Sequence, residues 1–134
     1  MDIGTAQLWL SRIGRGLLGL YFVIPGITKI TGWEGTVEYM AAHGVPFISA
    51  LLVLTIIIQI GGGLSLMAGY RAQLMAFVLA GLTLVINIYM HDFWNVTDPV
   101  QQAHETQNFV KNLAIMAGLL YLAGQSLIRD DRFY

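Results

Sequence analysis

The sequence predicts an all-α integral membrane protein: a bundle of four antiparallel transmembrane helices with both termini on the cytoplasmic side. Three observations predict it. First, the chain of 134 residues is 56% hydrophobic and only 11% charged, whereas a soluble domain of this size carries about 25% charged residues. A small soluble fold has too little interior to hide this much apolar surface. Second, the apolar residues fall into four runs of roughly 20, the length that crosses about 30 Å of hydrocarbon. A soluble bundle with a buried central hairpin is the alternative, but none of the four runs has a charged face. Third, the arginines sort to one side of the predicted membrane.

Composition also excludes. A net charge of −1 gives no electrostatic case for nucleic acid. The absence of cysteine removes disulfides, thiolate metal ligands, iron–sulfur ligation and cysteine nucleophiles from consideration.

The single domain is expected to span residues 1–134, with helices over 8–30, 47–68, 72–91 and 108–128. The first run opens with Arg12 and Arg15, as a signal peptide would, but Lys29 and Trp33 close it in place of a small-residue cleavage site, so it reads as a retained helix. Pro25-Gly26 is expected to kink it or loosen its last turn. In the connector that follows, Glu34 to Ala42 has helix-forming composition and suits the membrane interface. The second run, Phe47 to Ala68, has no charge, one amide at Gln59, and the triplet Gly61-Gly62-Gly63. That triplet is no phosphate loop, because no Walker lysine follows it and no strand precedes it. Gly69-Tyr70-Arg71 is so short that the second and third runs must form an antiparallel hairpin. The third run is Ala72 to Met90. Asp92 to Gln107 is polar and acidic, and Pro99 is expected to exclude a continuous helix there. The fourth run is Phe109 to Ile128, followed by a soluble tail.

In this arrangement Arg12, Arg15, Arg71, Arg129 and Arg132 share one side, and Lys29, Lys111, Glu34, Glu38, Asp92, Asp98 and Glu105 share the other. The positive-inside rule then places both termini in the cytoplasm and both long connectors outside. The expected location is the bacterial inner membrane, crossed several times.

The third helix carries the most informative face. Thr83, Asn87, His91 and Trp94 fall within an arc of about 80° on a helix of 3.6 residues per turn. They line a path from mid-bilayer to the outer surface. Lys29 ends the first helix and Lys111-Asn112 begins the fourth, at the same level. Lys29, Asn87, His91, Asp92, Trp94, Lys111 and Asn112 are therefore expected to form one outward-facing binding cluster, with the two lysines as counter-charges of Asp92. Such a cluster suits a quinone carbonyl, an oxyanion or a lipid headgroup. Simpler roles compete: Lys29 and Lys111 can snorkel, and Trp94 can sit in an aromatic belt. Two more polar residues lie inside the runs. Arg15 should face a partner or a wet pocket. Gln59 should bond across to another helix, or to a polar ligand. The faces Gly19/Gly26 and Gly62/Gly69 suit close helix contact, with a second copy or with a larger membrane complex. No metal site is expected, because the three histidines form no His-x₃-His or Glu-x-x-His helical pair.

The order of several short motifs resembles the DoxX family of small bacterial membrane proteins. These are Arg15-Gly-Leu-Leu-Gly-Leu-Tyr-Phe, Gly26-Ile-Thr-Lys29-Ile, Gly61-Gly62 followed by Leu64-Ser-Leu-Met-Ala-Gly69, then Arg71, His91-Asp92-Phe93-Trp94, and Lys111-Asn112-Leu-Ala. The resemblance implies a four-helix bundle tied to redox physiology; relatives include the DoxD subunit of an archaeal thiosulfate:quinone oxidoreductase. It marks Arg15, Lys29, Arg71, His91, Asp92, Trp94, Lys111 and Asn112 as recurrent positions. Many similar proteins carry a glutamate where this chain has Gln59, so a proton relay through that carboxylate is not open to it. No intrinsic cofactor is evident, and a quinone is the expected ligand. Membrane lipids, and a membrane protein or second copy of the chain, are the expected partners. Two readings follow: a quinone-interacting or accessory component of a membrane redox system, or a structural subunit without chemistry of its own.

Overall fold

The structure is a computed structural model and describes residues 2–128. It is all-helical among those residues: α1 (Ile3–Thr31), α2 (Trp33–Ala42), α3 (Ile48–Ala68), α4 (Ala72–Met90), a 3₁₀ turn (Phe93–Asn95) and α5 (Pro99–Ile128). Arg129 and Arg132, two of the residues behind the predicted orientation, lie outside the described residues.

Local chemistry explains the boundaries. Asp2 caps α1 by accepting a hydrogen bond from the Thr5 amide at 2.7 Å. Pro25 lies inside α1 without ending it, and the helix continues to Thr31. The α3–α4 turn is built on Gly69 at φ 77°. Its amide bonds to Leu66 O and the next amide, of Tyr70, to Ser65 O at 3.0 Å. This Schellman pattern satisfies the last carbonyls of α3, and a left-handed residue is what it requires.

The structure departs from the sequence reading of four helices at two places. The connector after α1, whose part over 34–42 was read as helix-forming, is a helix of its own, α2, and makes five. The last helix begins nine residues before position 108, at Pro99. Proline breaks a helix interior but is favoured at the first helical position, where its missing N–H has no intrahelical partner to lose. Asp98 completes the start, accepting from the Gln101 amide at 3.0 Å.

Among the described residues, three segments are long and apolar enough to cross a membrane: Ile3–Thr31, Ile48–Ala68 and Ala72–Asn95. The apolar part of α5 is interrupted by Lys111 and Asn112 near its start. Helices α1, α3, α4 and α5 lie side by side, with α1 packed chiefly on α3, α3 on α4, and α4 on α5. Phe22, Leu66, Leu79, Leu119 and the small residues Ala72, Ala76 and Ala80 make the shared core. Outward, Leu17, Ile57, Phe77 and Leu120 are exposed, a surface suited to lipid rather than water.

The glycine faces are used inside this bundle. A Cβ at Gly63 would stand 2.6 Å from Gly19 O, and one at Gly26 would stand 2.6 Å from the Ile60 side chain. Gly62 faces Leu79, and Gly69 faces the Arg15 guanidinium. The close contacts that were expected to receive a partner are therefore made by α1, α3 and α4 with one another.

Candidate functional site

The polar residues gather at the end of the bundle where α1 and α4 finish and α5 begins. Helix α2 packs on α1 and α3 there, and the Tyr39 hydroxyl donates to Met90 O at 3.4 Å.

A buried chain of hydrogen bonds crosses the bundle at this level. The Tyr21 hydroxyl donates to Asn112 Oδ1 at 3.1 Å. Asn112 Nδ2 donates to Asn87 Oδ1 at 3.1 Å. Asn87 Nδ2 donates to Phe109 O at 3.1 Å. The chain ties α1, α4 and α5 together. Asn87 is fully buried, so its amide is affordable only because both ends are bonded; an unmade bond would cost about 1–3 kcal/mol.

Beyond it, His91 closes the end of α4. Its Nδ1 lies 2.8 Å from Glu105 Oε2, and Glu105 is itself buried. The early start of α5 is what brings this carboxylate over His91. Tyr39 stands beside the same group, and its pKa is raised from 10.0, first by burial and then by the charges of Glu105 and Asp92.

Two hollows meet here. The larger, about 660 Å³, has walls of Leu52, Leu54, Leu82, Val85 and Met90, with Lys29, Tyr39 and His91 among its few polar side chains. It runs between α3 and α4 under α2. The smaller, about 210 Å³, lies inside the bundle and is lined by Tyr21, Lys29, Gln59, Thr83, His91, Asn108, Lys111 and Asn112, with Phe22, Pro25 and Ile86. Lys29, His91 and Ile86 border both. Neither lysine has an ion-pair partner among the described residues.

Of the residues singled out in the sequence, Lys29, Gln59, His91, Lys111 and Asn112 thus surround one pocket, with Asn87 directly behind Asn112. Asp92 and Trp94 do not line it. Asp92 accepts from Asn95 Nδ2 at 3.0 Å and stands 3.9 Å from His43 Nε2, so its partner is a histidine, not the expected lysines. Trp94 is exposed and meets Phe93 and Phe109 edge-on at 5.2 and 5.8 Å between ring centres, the behaviour of a belt residue. Arg15 sits at the opposite end against Gly69, with its Nε buried and unbonded. Gln59 makes no bond across to another helix: it is 4% exposed, and its Oε1 has no donor. Glu105, Tyr39 and Tyr21 were not singled out. Glu105 was findable, since it lies seven residues before Asn112, two turns along one helical face, once the helix is allowed to begin at Pro99.

The profile of the DoxX family matches residues 10–92, from the first helix through His91 and Asp92. The inner membrane protein YqjF of Escherichia coli (strain K12) is 37% identical over 83% of this chain and 79% of its own length. The inner membrane protein YphA of the same organism is 29% identical over 98% of this chain and 94% of its own. "Putative oxidoreductase CatD" of Bacillus subtilis (strain 168) is 30% identical over 63% of this chain and 56% of its own. No solved structure matches. With a family match across most of its membrane-spanning length and two inner-membrane relatives, the chain belongs to the DoxX family and is a multi-pass protein of the bacterial inner membrane.

Proposed function

We propose that this protein binds the head of a membrane quinone between Lys29, Tyr39 and His91, as a component of a membrane redox system. The observation that carries the reading is the 660 Å³ cavity, mostly apolar along α3 and α4, with Lys29 and His91 as its ionisable donors beside the Tyr39 hydroxyl. A quinone has the same division: an isoprenoid tail, and a ring with two carbonyl acceptors that takes up electrons and protons. The ammonium of Lys29 and the Tyr39 hydroxyl are donors for those carbonyls. His91 is a third, and Glu105, 2.8 Å behind it, accepts from the imidazole Nδ1–H and so orients the ring. Lys29, with no acid partner among the described residues, would favour negative charge on the ring oxygen beside it. The name of one relative, "Putative oxidoreductase CatD", is in keeping with this role. Because the chain has no electron carrier of its own, electrons would come from a partner bearing flavin, haem or an iron–sulfur cluster.

The reading includes a topology. The apolar part of α5 is the fourth span, and both termini are cytoplasmic. Arg15 lying against Gly69 supports placing Arg12, Arg15 and Arg71 at one face of the membrane.

The test is a titration of the purified protein in lipid nanodiscs with a short-chain ubiquinone, followed by equilibrium binding. Loss of one charge-assisted hydrogen bond costs about 1.5–3 kcal/mol, so His91→Ala should weaken binding by roughly tenfold or more while its thermal unfolding stays cooperative. Equal binding by the wild type and by folded His91→Ala would remove His91 from the site. Co-purification of a fixed membrane partner with no quinone binding would make the chain a structural subunit.

A further inference from the structure

We propose that the 210 Å³ pocket is a second site, adjoining the first across Lys29 and His91, which binds a small oxyanion that keeps a proton, of the hydrogen phosphate type. Three observations converge on it. The pocket has charges of one sign only: Lys29 and Lys111 line it with His91, and no aspartate or glutamate does. The carboxylate of Glu105, outside that lining, is engaged by His91 Nδ1 at 2.8 Å. Around the cations stand neutral hydrogen-bonding groups, the Tyr21 hydroxyl and the amides of Asn108 and Asn112. A pocket that gathers two ammonium groups, the half-buried Lys29 and the exposed Lys111, with no carboxylate in its lining attracts an anion.

Gln59 refines the chemistry. Its Oε1 is buried at the middle of α3 with no donor, on a side chain 4% exposed that lines this pocket. A buried acceptor without a donor is costly, and the cheapest remedy is a ligand that brings an O–H. An oxyanion that retains a proton presents oxygens to the lysines and its hydroxyl to Gln59. A fully ionised one satisfies the lysines and leaves Gln59 as it is. Neither Gln59 nor Lys111 borders the larger cavity, so this inference does not depend on the quinone reading.

Phosphate and sulfate separate the two cases, being alike in size and shape, while only phosphate keeps a proton near neutral pH. Full-length protein in phosphatidylcholine nanodiscs would be titrated with sodium phosphate and sodium sulfate by calorimetry at matched ionic strength. Phosphate should bind saturably, and sulfate at least about tenfold more weakly, the penalty for leaving one buried polar group unpaired. Gln59→Leu removes an unbonded amide and should fold; it should bring phosphate down to the level of sulfate. Lys111→Gln should weaken both anions together. Absence of saturable phosphate binding in the wild type overturns the site. Sulfate binding as tightly as phosphate, or a preference that survives in Gln59→Leu, overturns the assigned role of Gln59. Discs doped with phosphatidic acid identify the source: a blocked titration means that the oxyanion is a lipid phosphomonoester, and an unchanged one means a soluble ion. Because the substitutions used for the two ligands are different, a failed phosphate titration leaves the His91→Ala quinone result standing, and the reverse.

Discussion

Tyr39 shows how much one phenol can report. It stands on α2, donating to Met90 O, with the carboxylates of Glu105 and Asp92 nearby. Burial and the neighbouring carboxylates hold its pKa above 10.0 in the folded protein. The neutral phenol therefore contributes stability that is fully present below pH 10.0, the unfolded value, and is lost as pH rises through the higher folded value. A difference titration of ultraviolet absorbance should find one late-ionising tyrosine absent from Tyr39→Phe, and the variant should lose less stability than the wild type above pH 10.0. Identical alkaline unfolding of the two proteins would contradict this account. At this scale the sequence was legible where a polar residue interrupts an apolar run. Lys29, Gln59, His91 and Asn112 stand out because hydrocarbon makes each of them expensive. Tyr39 and Glu105 do not stand out, since a polar residue in a polar connector carries no such signal, and only the path of the backbone shows what it faces.

At the scale of elements, the bundle depends on two backbones approaching at Gly19 and Gly63. Gly63→Ala places a methyl against Gly19 O and Val23, neither of which can yield without parting α1 from α3. Overpacking of this kind costs about 1–3 kcal/mol. Gly61, two residues earlier, has open space where a Cβ would go, and Gly61→Ala should be neutral or stabilising by up to ~1 kcal/mol through helix propensity. Thermal unfolding of the two variants in one detergent measures the difference, and a Gly63→Ala protein as stable as Gly61→Ala would mean that the α1–α3 contact is looser than described. The periodicity of small residues announced such a contact, but not whether it lay within the chain or between chains. The apolar runs likewise announced α1, α3 and α4 closely. The start of α5 was misjudged, because a proline reads as a breaker until the aspartate before it is recognised as a cap.

For the whole molecule, the proposed orientation makes a sharp prediction. A reporter fused after Tyr134 should show cytoplasmic behaviour, and one inserted in the 96–98 loop should show periplasmic behaviour. Periplasmic activity at the C-terminus would reverse the topology or remove α5 as a span. The general architecture was plain from composition alone, since so little charge leaves lipid as the only suitable solvent. The junction of two hollows at Lys29 and His91 was not, because volume belongs to how helices lean on one another and leaves no trace in spacing.

The hydrogen bond between Asn87 and Asn112 bears on how the protein is made. Each amide, on its own helix, would meet acyl chains with its polar end bare. Held against each other, they hide that polarity inside a two-helix unit. Helices α4 and α5 should accordingly leave the translocon for the bilayer as a pair. Ribosome-bound chains that end before Asn112 would then keep α4 beside the channel, waiting for its companion.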